Sequence, residues 1–482
     1  MSKLKNIEPQ RVFYYFEEIS KIPRCSNNER EISDYIKKIG EKLGLETIQD
    51  EHLNVIIRKP ATKGYENSAG VIIQGHMDMV CEKDDSVKHD FSKDPIELII
   101  DGDYIRANGT TLGADNGIAV AMALAIAEDN TLEHPELELL FTTAEETDMD
   151  GALGLSEKIL KGTRLLNIDS EEEGILITGS AGGELIEVKI PIKYEEVSNF
   201  TDINIEVRGL KGGHSGMEID KPRGNSNKIL NSILRELKDN MDIRLISIKG
   251  GTKDNAIPRQ SEAKIAVEHN SLSQFKDIIE NIKEKTIEKY KSLEPEMEIM
   301  ITIGNSVSNT LTNKSFEEIL FILDVIPTGV FTKMPQNEDI VESSSNLAII
   351  LTESDHIVIQ TSTRSSSKEK LIRLREKILQ EVNKTSGNYT IKGEYPEWEY
   401  KPESKLRDTA LSLYKEMFGK EMEATVIHAG LECGAFAQKY PNLDIISFGP
   451  NMYDVHTPME RLSISSTQRT YKYLVELLKR LK

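Results

Sequence analysis

The sequence predicts an α/β protein in which one domain is split by an inserted α+β domain. The split domain is expected to have a mixed, mostly parallel sheet flanked by helices, because apolar β-branched runs alternate with helical patterns up to about residue 185. From residue 186 to 397 the pattern changes to alternating strands and Lys/Glu-rich helices, and after residue 398 the first pattern returns. We therefore expect the two parts of the split domain at 1–185 and 398–482, with the inserted domain at 186–397.

The bulk composition excludes two classes of protein. Eighty acidic residues against sixty basic ones give a formal net charge of −20, which repels phosphate backbones, so we expect no nucleic-acid partner. The chain is 38% hydrophobic and 29% charged and has no apolar run long enough to cross a bilayer, so we expect no membrane partner. The stretch Met1–Asn6 lacks the apolar core of a signal peptide, which predicts a cytoplasmic protein.

The cysteines predict no covalent cross-linking. Cys25, Cys81 and Cys433 are odd in number and far apart in the sequence. We therefore expect neither a disulfide framework nor a zinc site made of thiolates alone.

The first polar strand end lies in the N-terminal part, after two predicted amphipathic helices and a short strand. A β-branched strand begins at Val71 and stops at Gly75, and His76 and Asp78 follow it. Because side chains alternate along an extended backbone, these two point the same way at the strand's carboxyl end, where open α/β sheets bind ligands. From this pair alone, a strand cap and a binding site are equally good interpretations.

Three further ends of predicted elements carry carboxylates. Asp115 lies in a Gly-Ala-Asp-Asn-Gly cluster before an apolar helix, Glu145 and Glu146 end one strand, and Asp169 ends another. Alone, each of them could be a solvated strand end or a helix N-cap. Four such ends in one α/β segment, together with His456 in a late loop, instead predict a metal site.

These donors suit two zinc-like cations bridged by one carboxylate, which together need about five to seven oxygen or nitrogen ligands. A carboxylate outside the metal shell must then take the proton of the attacking water and pass it to the leaving amine. Glu145 is adjacent to a candidate ligand but on the other side of the backbone, so it suits this role. Asp78 could hydrogen-bond the second imidazole nitrogen of His76 and fix its tautomer.

The inserted segment has the pattern of a duplication. Two halves, at about 186–305 and 306–397, carry strands and helices in a similar order, although their residue identity is negligible. We expect each half to place helices on one face of a small antiparallel sheet.

The motifs resemble those of the co-catalytic zinc aminopeptidase, dipeptidase and deacylase superfamily. The blocks that carry the resemblance follow the family's order over most of the chain: Gly75–Asp78, Gly113–Gly117, Ala144–Glu146, Asn167–Asp169 and His456. Three stretches are most similar to dipeptidases of this superfamily: Thr111–Gly117, Lys211–Gly216 and His428–Gly434. The resemblance implies hydrolysis of unblocked dipeptides, Xaa-His or more broadly, by a metal-bound water.

The resemblance also implies individual roles in the metal site. Asp115 would bridge two zinc ions per chain, for which cobalt or manganese could substitute. His76 and Asp169 would complete one coordination shell, and Glu146 and His456 the other. Glu145 would be the general acid/base and Asp78 the partner that orients His76. The family often holds the bond after the bridging aspartate, here Asp115–Asn116, in the cis form.

The resemblance implies that the split domain at 1–185 and 398–482 is catalytic and that the inserted domain at 186–397 is the family's lid, which carries substrate-binding residues. In relatives with a single lid, a histidine and an asparagine come from the partner subunit, whereas an arginine comes from the enzyme's own lid. Here the first half has His214 and Asn255, and the second half has Arg364. We therefore hypothesise that the doubled lid does within one chain what two lids do in a dimer. His214 and Asn255 would bind the oxyanion and Arg364 the substrate's carboxylate, and Gly430 is also assigned to substrate binding.

Three functions stay open at this point. The first is a dinuclear zinc dipeptidase, acting as a monomer or a homodimer, and the second is a deacylase or tripeptidase of the same fold. The third is a metal-binding interaction protein that has lost catalysis. Glu145 argues against the third, because metal binding needs only the ligands.

Overall fold

The fold is described from a computed structural model, which covers residues 3–335 and 337–482. The chain divides into two compact units. The first comprises the residues up to Ser180 together with Trp398–Val426 and Leu431–Lys482, and the second comprises Ala181–Glu397 and Ile427–Gly430. The expected boundary between residues 185 and 186 therefore falls inside the second unit, and four residues of the expected C-terminal catalytic segment group with that unit.

The N-terminal part of the first unit alternates helices and strands. The helices are α1 (Gln10–Ile19), α2 (Arg30–Lys42), α3 (Ala114–Glu128) and α4 (Asp150–Gly154). The strands are β1 (Glu46–Gln49), β2 (Val55–Lys59), β3 (Val71–His76), β4 (Leu98–Asp101), β5 (Tyr104–Ala107), β6 (Leu137–Thr142), β7 (Arg164–Asn167) and β8 (Ile175–Ser180).

The second unit is richer in strands. The strands are β9 (Gly182–Pro191), β10 (Tyr194–Arg208), β11 (Gly213–His214), β12 (Arg244–Gly250), β13 (Ala256–Ile257), β14 (Ser261–Glu268), β15 (Glu298–Leu311), β16 (Gly329–Met334), β17 (Asn337–Thr352), β18 (His356–Ser365) and β19 (Asn388–Tyr395). The helices are α5 (Ser226–Asn240), α6 (Leu272–Tyr290), α7 (Asn313–Val325) and α8 (Lys368–Val382), with a 3₁₀ turn at His269–Ser271.

The C-terminal part returns to the first unit. Its elements are α9 (Lys405–Phe418), β20 (Glu423–Ile427), α10 (Glu432–Lys439), β21 (Asp444–Ser447), β22 (Met452–Tyr453), β23 (Arg461–Ser463) and α11 (Ile464–Arg480).

The main sheet of the first unit is mixed, as predicted, with strand order β1-β2-β6-β3-β7-β21-β8-β20. Its four central strands, β6, β3, β7 and β21, run parallel. The neighbouring strands β1, β2 and β8 pair antiparallel. The expectation of a mostly parallel sheet therefore holds only for the centre, because the outer strands β1 and β2 are joined by a short turn that reverses the chain.

Burial explains why the centre of this sheet has continuous apolar sequences. Strands β2, β3 and β6 are buried along their whole length, as expected for strands covered on both faces. Helix α3 is apolar on all sides and almost entirely buried, and α1 packs against it. None of the helices in the described part of the chain is both long and apolar enough to span a membrane.

A small four-stranded sheet, β22-β23-β5-β4, closes the first unit. Strand β23 near the C-terminus pairs with β5, and Leu462 lies opposite Ile105. The loop between β22 and β23 carries His456. The pairing of β23 with β5 anchors the C-terminal end of this loop on a segment from the N-terminal part of the chain, and the pairing of β22 with β23 closes the loop.

The second unit contains a continuous antiparallel sheet made of two halves of identical topology. From the outer edges inward, the strand orders are β15-β10-β14-β12 and β19-β9-β18-β17. Each half is a β-α-β-β-α-β unit. If its four strands are numbered along the chain of that unit, their order across the sheet is 4-1-3-2 in both halves. The halves join where Lys249 and Gly250 of β12 pair with Leu351 and Ile350 of β17.

This topology supports the duplication but corrects its division at residues 305 and 306. Strand β9 pairs with β18 and β19, so it belongs to the second half although it precedes the first half in the chain. The first half is therefore inserted between β9 and α7 of the second. Sequence order assigns β9 wrongly because strand pairing, not chain proximity, decides which core a strand covers.

The cysteine expectation is wrong for one pair. Cys25 and Cys81 form a disulfide, with their Cα atoms 5.7 Å apart, and Cys433 is free and buried. Cys25 forms an isolated parallel bridge with Met79, which brings the two thiols together across 56 residues of sequence. Spacing along the chain does not reveal this contact.

Candidate metal centre

The predicted site residues of the first unit lie at one edge of its main sheet. Strand β3 ends at His76, beside Thr142 at the end of β6, and Gln74 of β3 lies opposite Asn167 at the end of β7. The turn after β6 carries Glu145 and Glu146, and Asp169 follows β7 by two residues. Because the strands are parallel, their carboxyl ends meet, which is where such sheets bind ligands.

Asp115 reaches this edge because β3 and the start of α3 approach closely. A Cβ atom on Gly75 would lie only 2.4 Å from Asn116 Oδ1 and 2.5 Å from Ala119 Cβ, so glycine is required there. Asn116 Nδ2 donates a hydrogen bond of 2.6 Å to the Ile168 carbonyl, which ties the loop to the segment before Asp169. The Asp115–Asn116 peptide bond is cis, as the resemblance implied.

The two carboxylate oxygens of Asp115 face different histidines. Oδ1 lies 3.2 Å from His76 Nε2, and Oδ2 lies 3.0 Å from His456 Nε2. Asp169 Oδ1 is 3.5 Å from the same His76 nitrogen, and Glu146 Oε2 is 3.0 Å from the same His456 nitrogen. The structure thus groups the five expected ligands into two sets that share Asp115.

This donor set fits a metal ion. His76, Asp115 and Glu146 each offer one atom, and these atoms lie within 4.8 Å of one another. Imidazole nitrogen and carboxylate oxygen are the donors that catalytic zinc sites use.

The electrostatics also favour positive charge here. Burial would lower the pKa of His76, but Asp169, Asp115 and Asp78 outweigh it and hold that pKa well above its usual value. Burial likewise opposes protonation of His456, yet Asp115 and Glu146 raise its pKa to about 11. Carboxylates therefore outnumber imidazoles in a buried space, and such a space attracts cations.

Asp78 contacts His76 from the side away from the cluster. His76 Nδ1 lies 3.2 Å from the main-chain oxygen of Asp78 and 3.3 Å from its Oδ1. Both oxygens are acceptors, so Nδ1 carries the proton and Nε2 is the nitrogen that can bind metal. The Asp78 carboxylate also accepts the backbone N–H groups of Glu145 and Glu146 and the Ser26 hydroxyl.

Glu145 lies beside the cluster, with Oε2 3.9 Å from His76 Nε2. Burial raises the pKa of Glu145 well above its ordinary value, His76 opposes the rise, and Asp169 and Glu146 add to it. A buried carboxyl group whose pKa is raised in this way holds a proton more readily than an exposed one, which suits a group that must accept a proton and return it.

Three further buried charged residues contact this region and were not singled out from the sequence. Glu432, in the first turn of α10, accepts hydrogen bonds from Gln74 Nε2 (2.6 Å) and Thr142 Oγ1 (2.7 Å). Glu460 accepts backbone N–H groups of the loop before α3, and Arg24 donates to carbonyls near Asp78 and in the same loop. The only sequence signal for Glu432 is its position inside the His428–Gly434 motif.

The expected lid residues lie in the second unit. His214 Nδ1 accepts the N–H groups of Gly216 (3.2 Å) and Met217 (3.0 Å), so its Nε2 carries the proton and can donate. The pairing of β11 with β13 brings His214 opposite Ala256, next to Asn255. Burial, with Arg364 adding to it, lowers the pKa of His214.

Arg364 and Gly430 belong to the same unit. Arg364, on β18, donates from Nη1 to the Tyr395 hydroxyl at 2.6 Å. Gly430 ends the short segment Ile427–Gly430, in which the carbonyl of Ala429 accepts the N–H of Ala181 and His428 Nε2 lies 2.7 Å from the Ser344 hydroxyl.

The comparisons with known proteins agree with one another. Residues 72–480 match the model of peptidase family M20/M25/M40. The chain is 37% identical over 487 aligned positions to the cytosol non-specific dipeptidase of Escherichia coli (strain K12), and the match covers 99% of each chain. The crystal structure of aminoacylhistidine dipeptidase from Vibrio alginolyticus is similar with a TM-score of 0.91 and 32% identity, over 99% of this chain and 98% of that chain.

A more distant structure shares the fold alone. A tripeptidase from Staphylococcus aureus has a TM-score of 0.57 and 15% identity, over 98% of this chain and 99% of that one. The full-length match at 37% identity and the family model together confirm the resemblance inferred from the motifs. The chain belongs to peptidase family M20/M25/M40.

Proposed function

We propose that this peptidase is a dipeptidase whose centre would hold two divalent cations, zinc by preference, with Asp115 as the residue that the two ligand sets share. One observation carries the proposal: the two oxygens of Asp115 face separate sets, His76 with Asp169 on one side and His456 with Glu146 on the other. A dipeptide substrate is supported by the names of the two relatives that match over the full length. Cytoplasmic location, predicted from the sequence, agrees with the name of the Escherichia coli relative.

Bound at these residues, the cations would polarise the scissile carbonyl and lower the pKa of the attacking water. Glu145 takes the proton of that water and delivers it to the leaving amine, since its carboxyl is the buried acid next to the ligands. Asp78 keeps the proton of His76 on Nδ1 and holds the turn that carries Glu145 and Glu146.

The second unit supplies the proposed substrate-binding groups. His214 donates from Nε2 to the oxyanion, with Asn255 beside it, and Arg364 binds the carboxylate at the C-terminal end of the substrate. Gly430 is the fourth residue that we assign to substrate binding. His214 lies on β11, which belongs to a separate two-stranded sheet between two strands of the first half, whereas Arg364 lies on β18 of the second half. One chain therefore carries both groups, and the active form is a monomer or a homodimer.

We keep the domain boundaries that the sequence predicts. Residues 1–185 and 398–482 form the catalytic domain, and 186–397 form the lid with its two similar halves. The division of the chain into two compact units supports this assignment, apart from residues 181–185 and Ile427–Gly430, which group with the second unit.

A substrate panel tests the function. Metal-free protein and protein reloaded with zinc, cobalt or manganese are assayed on Ala-His, carnosine, an N-acetyl amino acid and a tripeptide. We expect metal-dependent hydrolysis of the dipeptides and little of the other two. Turnover of the acetyl amino acid or the tripeptide alone would replace the proposal with a deacylase or a tripeptidase, and absence of any metal-dependent turnover would leave a binding protein.

A further inference from the structure

Glu460 is a buried carboxylate that accepts four consecutive backbone N–H groups. Its Oε2 accepts from Leu112 (2.7 Å) and Gly113 (3.0 Å), and its Oε1 accepts from Ala114 (2.8 Å) and Asp115 (3.4 Å). The residue is 2% exposed. Hydrogen bonds to an ionised carboxylate are about twice as strong as neutral ones, so this contact holds the loop firmly.

The loop can present four N–H groups to one carboxylate because it turns at Gly113. In an extended chain, successive N–H groups point to opposite sides, whereas Gly113 has a left-handed backbone, with φ +68°. A Cβ atom on Gly113 would lie 2.4 Å from Arg24 Nη2 and 2.6 Å from Met79 Sδ. Two separate features therefore disfavour any residue other than glycine at this position: the left-handed backbone conformation and the close neighbouring atoms.

Arg24 holds the opposite side of the same loop. Its Nη2 donates to the Gly113 carbonyl, and its Nη1 donates to the carbonyls of Met77 (3.1 Å) and Asp78 (3.2 Å). One guanidinium thus ties the loop that delivers Asp115 to the strand end that delivers His76.

Glu460 makes a second connection, to His456. Both residues lie in the loop between β22 and β23, four positions apart, and Glu460 fixes this loop to the backbone of Asp115. The two histidines that face Asp115 are therefore each linked to its loop by a buried charge: His76 through Arg24, and His456 through Glu460.

We propose that Glu460 and Arg24 are positioning residues that set where Asp115 lies between His76 and His456, and hence how tightly the centre holds its cations. The inference rests on the proposed function, because it assigns the hydrogen bonds to the geometry of the cation site. Residues that orient metal ligands in this way typically change metal affinity by about 10–100-fold when they are replaced.

The test variant is Glu460→Gln, which keeps the size of the side chain but has one acceptor oxygen. Its amide NH₂ would face backbone donors, so at least one pair of the four hydrogen bonds is lost. The matched control is Glu138→Gln in the same unit. Glu138 is also 2% exposed and accepts the N–H groups of Lys161 (2.7 Å) and Gly162 (2.8 Å), but it lies at the opposite end of β6 from the centre.

Zinc affinity is measured by competition with a chromophoric chelator, and the coordination geometry by the visible absorption spectrum of the cobalt-loaded protein. Thermal unfolding of the metal-free proteins reports stability separately. We expect Glu460→Gln to bind zinc about 10–100-fold more weakly and to alter the cobalt spectrum. Glu138→Gln should keep affinity within about threefold of the parent protein, with an unchanged spectrum, even if both variants unfold at a lower temperature.

Wild-type affinity and an unchanged cobalt spectrum in folded Glu460→Gln would overturn the inference, and so would equal losses of affinity in the two variants. If Glu460→Gln does not fold, Arg24→Lys, which retains the charge but loses the forked donor, is measured instead, with the same expectations. A parent protein that binds two zinc ions and cleaves dipeptides while these variants bind normally would refute only this inference. A parent protein that binds no zinc would refute the proposed function itself.

Discussion

The carboxylate of Asp78 lies 3.3 Å from His76 Nδ1, and neither side chain has meaningful contact with solvent. The same carboxylate accepts the N–H groups of Glu145 at 3.1 Å and Glu146 at 3.2 Å. One buried anion therefore orients a candidate ligand and also fixes the turn that carries a second ligand and the proposed acid/base group. Asp78 meets His76 at Nδ1, whereas Asp115 and Asp169 meet it at Nε2.

Asp78→Asn should separate orientation from metal binding. The amide keeps the size of the side chain but loses the charge that fixes the His76 tautomer, so we expect kcat on Ala-His to fall by about 10–100-fold with most zinc retained. Metal content and kcat are measured on the same preparation. His76→Ala is the contrasting variant and should lose about one zinc ion per chain; loss of both ions in Asp78→Asn would contradict the assigned role.

Replacement of Glu145 should lower kcat, whereas replacement of the adjacent Glu146 should lower zinc binding. Glu145→Gln removes the proposed proton carrier but no ligand, so kcat should fall by about 10²–10⁴-fold while the zinc content stays the same. Glu146→Gln should instead weaken zinc binding, because Glu146 lies 3.0 Å from His456 Nε2. The two variants are compared by kcat and by metal analysis after gel filtration. Equal zinc loss in both would show that the roles are not divided as proposed.

Tyr395 should matter for substrates with a free carboxylate. Its hydroxyl accepts from Arg364 Nη1 at 2.6 Å, so Tyr395→Phe releases one end of the guanidinium. We expect KM for Ala-His to rise about 10-fold, corresponding to 1.4 kcal/mol, and kcat to change little. The dipeptide amide, which lacks the carboxylate, should show a much smaller effect.

The control for this variant lies on the same strand. Tyr389 is also on β19, but it is 41% exposed, and Tyr389→Phe should leave both kinetic constants unchanged. An equal rise of KM for the amide and for Ala-His in Tyr395→Phe would argue against carboxylate binding by Arg364.

The sequence predicts that the polar residues at the strand ends of the first unit come together, because neighbouring parallel strands align their carboxyl ends. His76, Glu146 and Asp169 each follow an apolar run, so their grouping follows from chain pattern alone. The sequence also names His456 as a donor, but no local pattern shows how its distant loop is held, because that depends on the pairing of β23 with β5.

Other features depend on contacts that no local pattern encodes. The backbone partners of Arg24 are 53 to 89 residues away, and those of Glu460 are 345 to 348 residues away. Backbone groups are the same in every residue, so the sequence of the partner segment gives no signal for these contacts. The Cys25–Cys81 pair and the position of β9 are missed for the same reason: spatial neighbours are set by sheet assembly. The sequence pattern therefore predicts helices and strands, but it does not predict the buried charged residues that bind distant loops.

Glu432 should make stability depend on pH. Burial, opposed by His76 and by the hydrogen bond from Thr142, raises the pKa of Glu432 to about 8, above the value of 4.5 for an exposed glutamate. Between these two values the folded protein holds a proton that the unfolded chain releases. The free energy of unfolding therefore falls as pH rises from about 4.5 to 8, by at most about 1.4 kcal/mol per pH unit from this group, and the fall ends above pH 8.

Glu432→Gln removes this titration while keeping a side chain that can accept from Gln74 and Thr142. Relative to the parent protein, the variant should therefore become more stable as pH rises from 5.5 to 8.5, since it does not bury a carboxylate at the higher pH. Urea unfolding of both metal-free proteins at these two pH values measures the difference. If the stability difference between variant and parent is the same at both pH values, Glu432 does not hold its proton in the folded state. In that case the ionised carboxylate accepts the hydrogen bonds from Gln74 and Thr142.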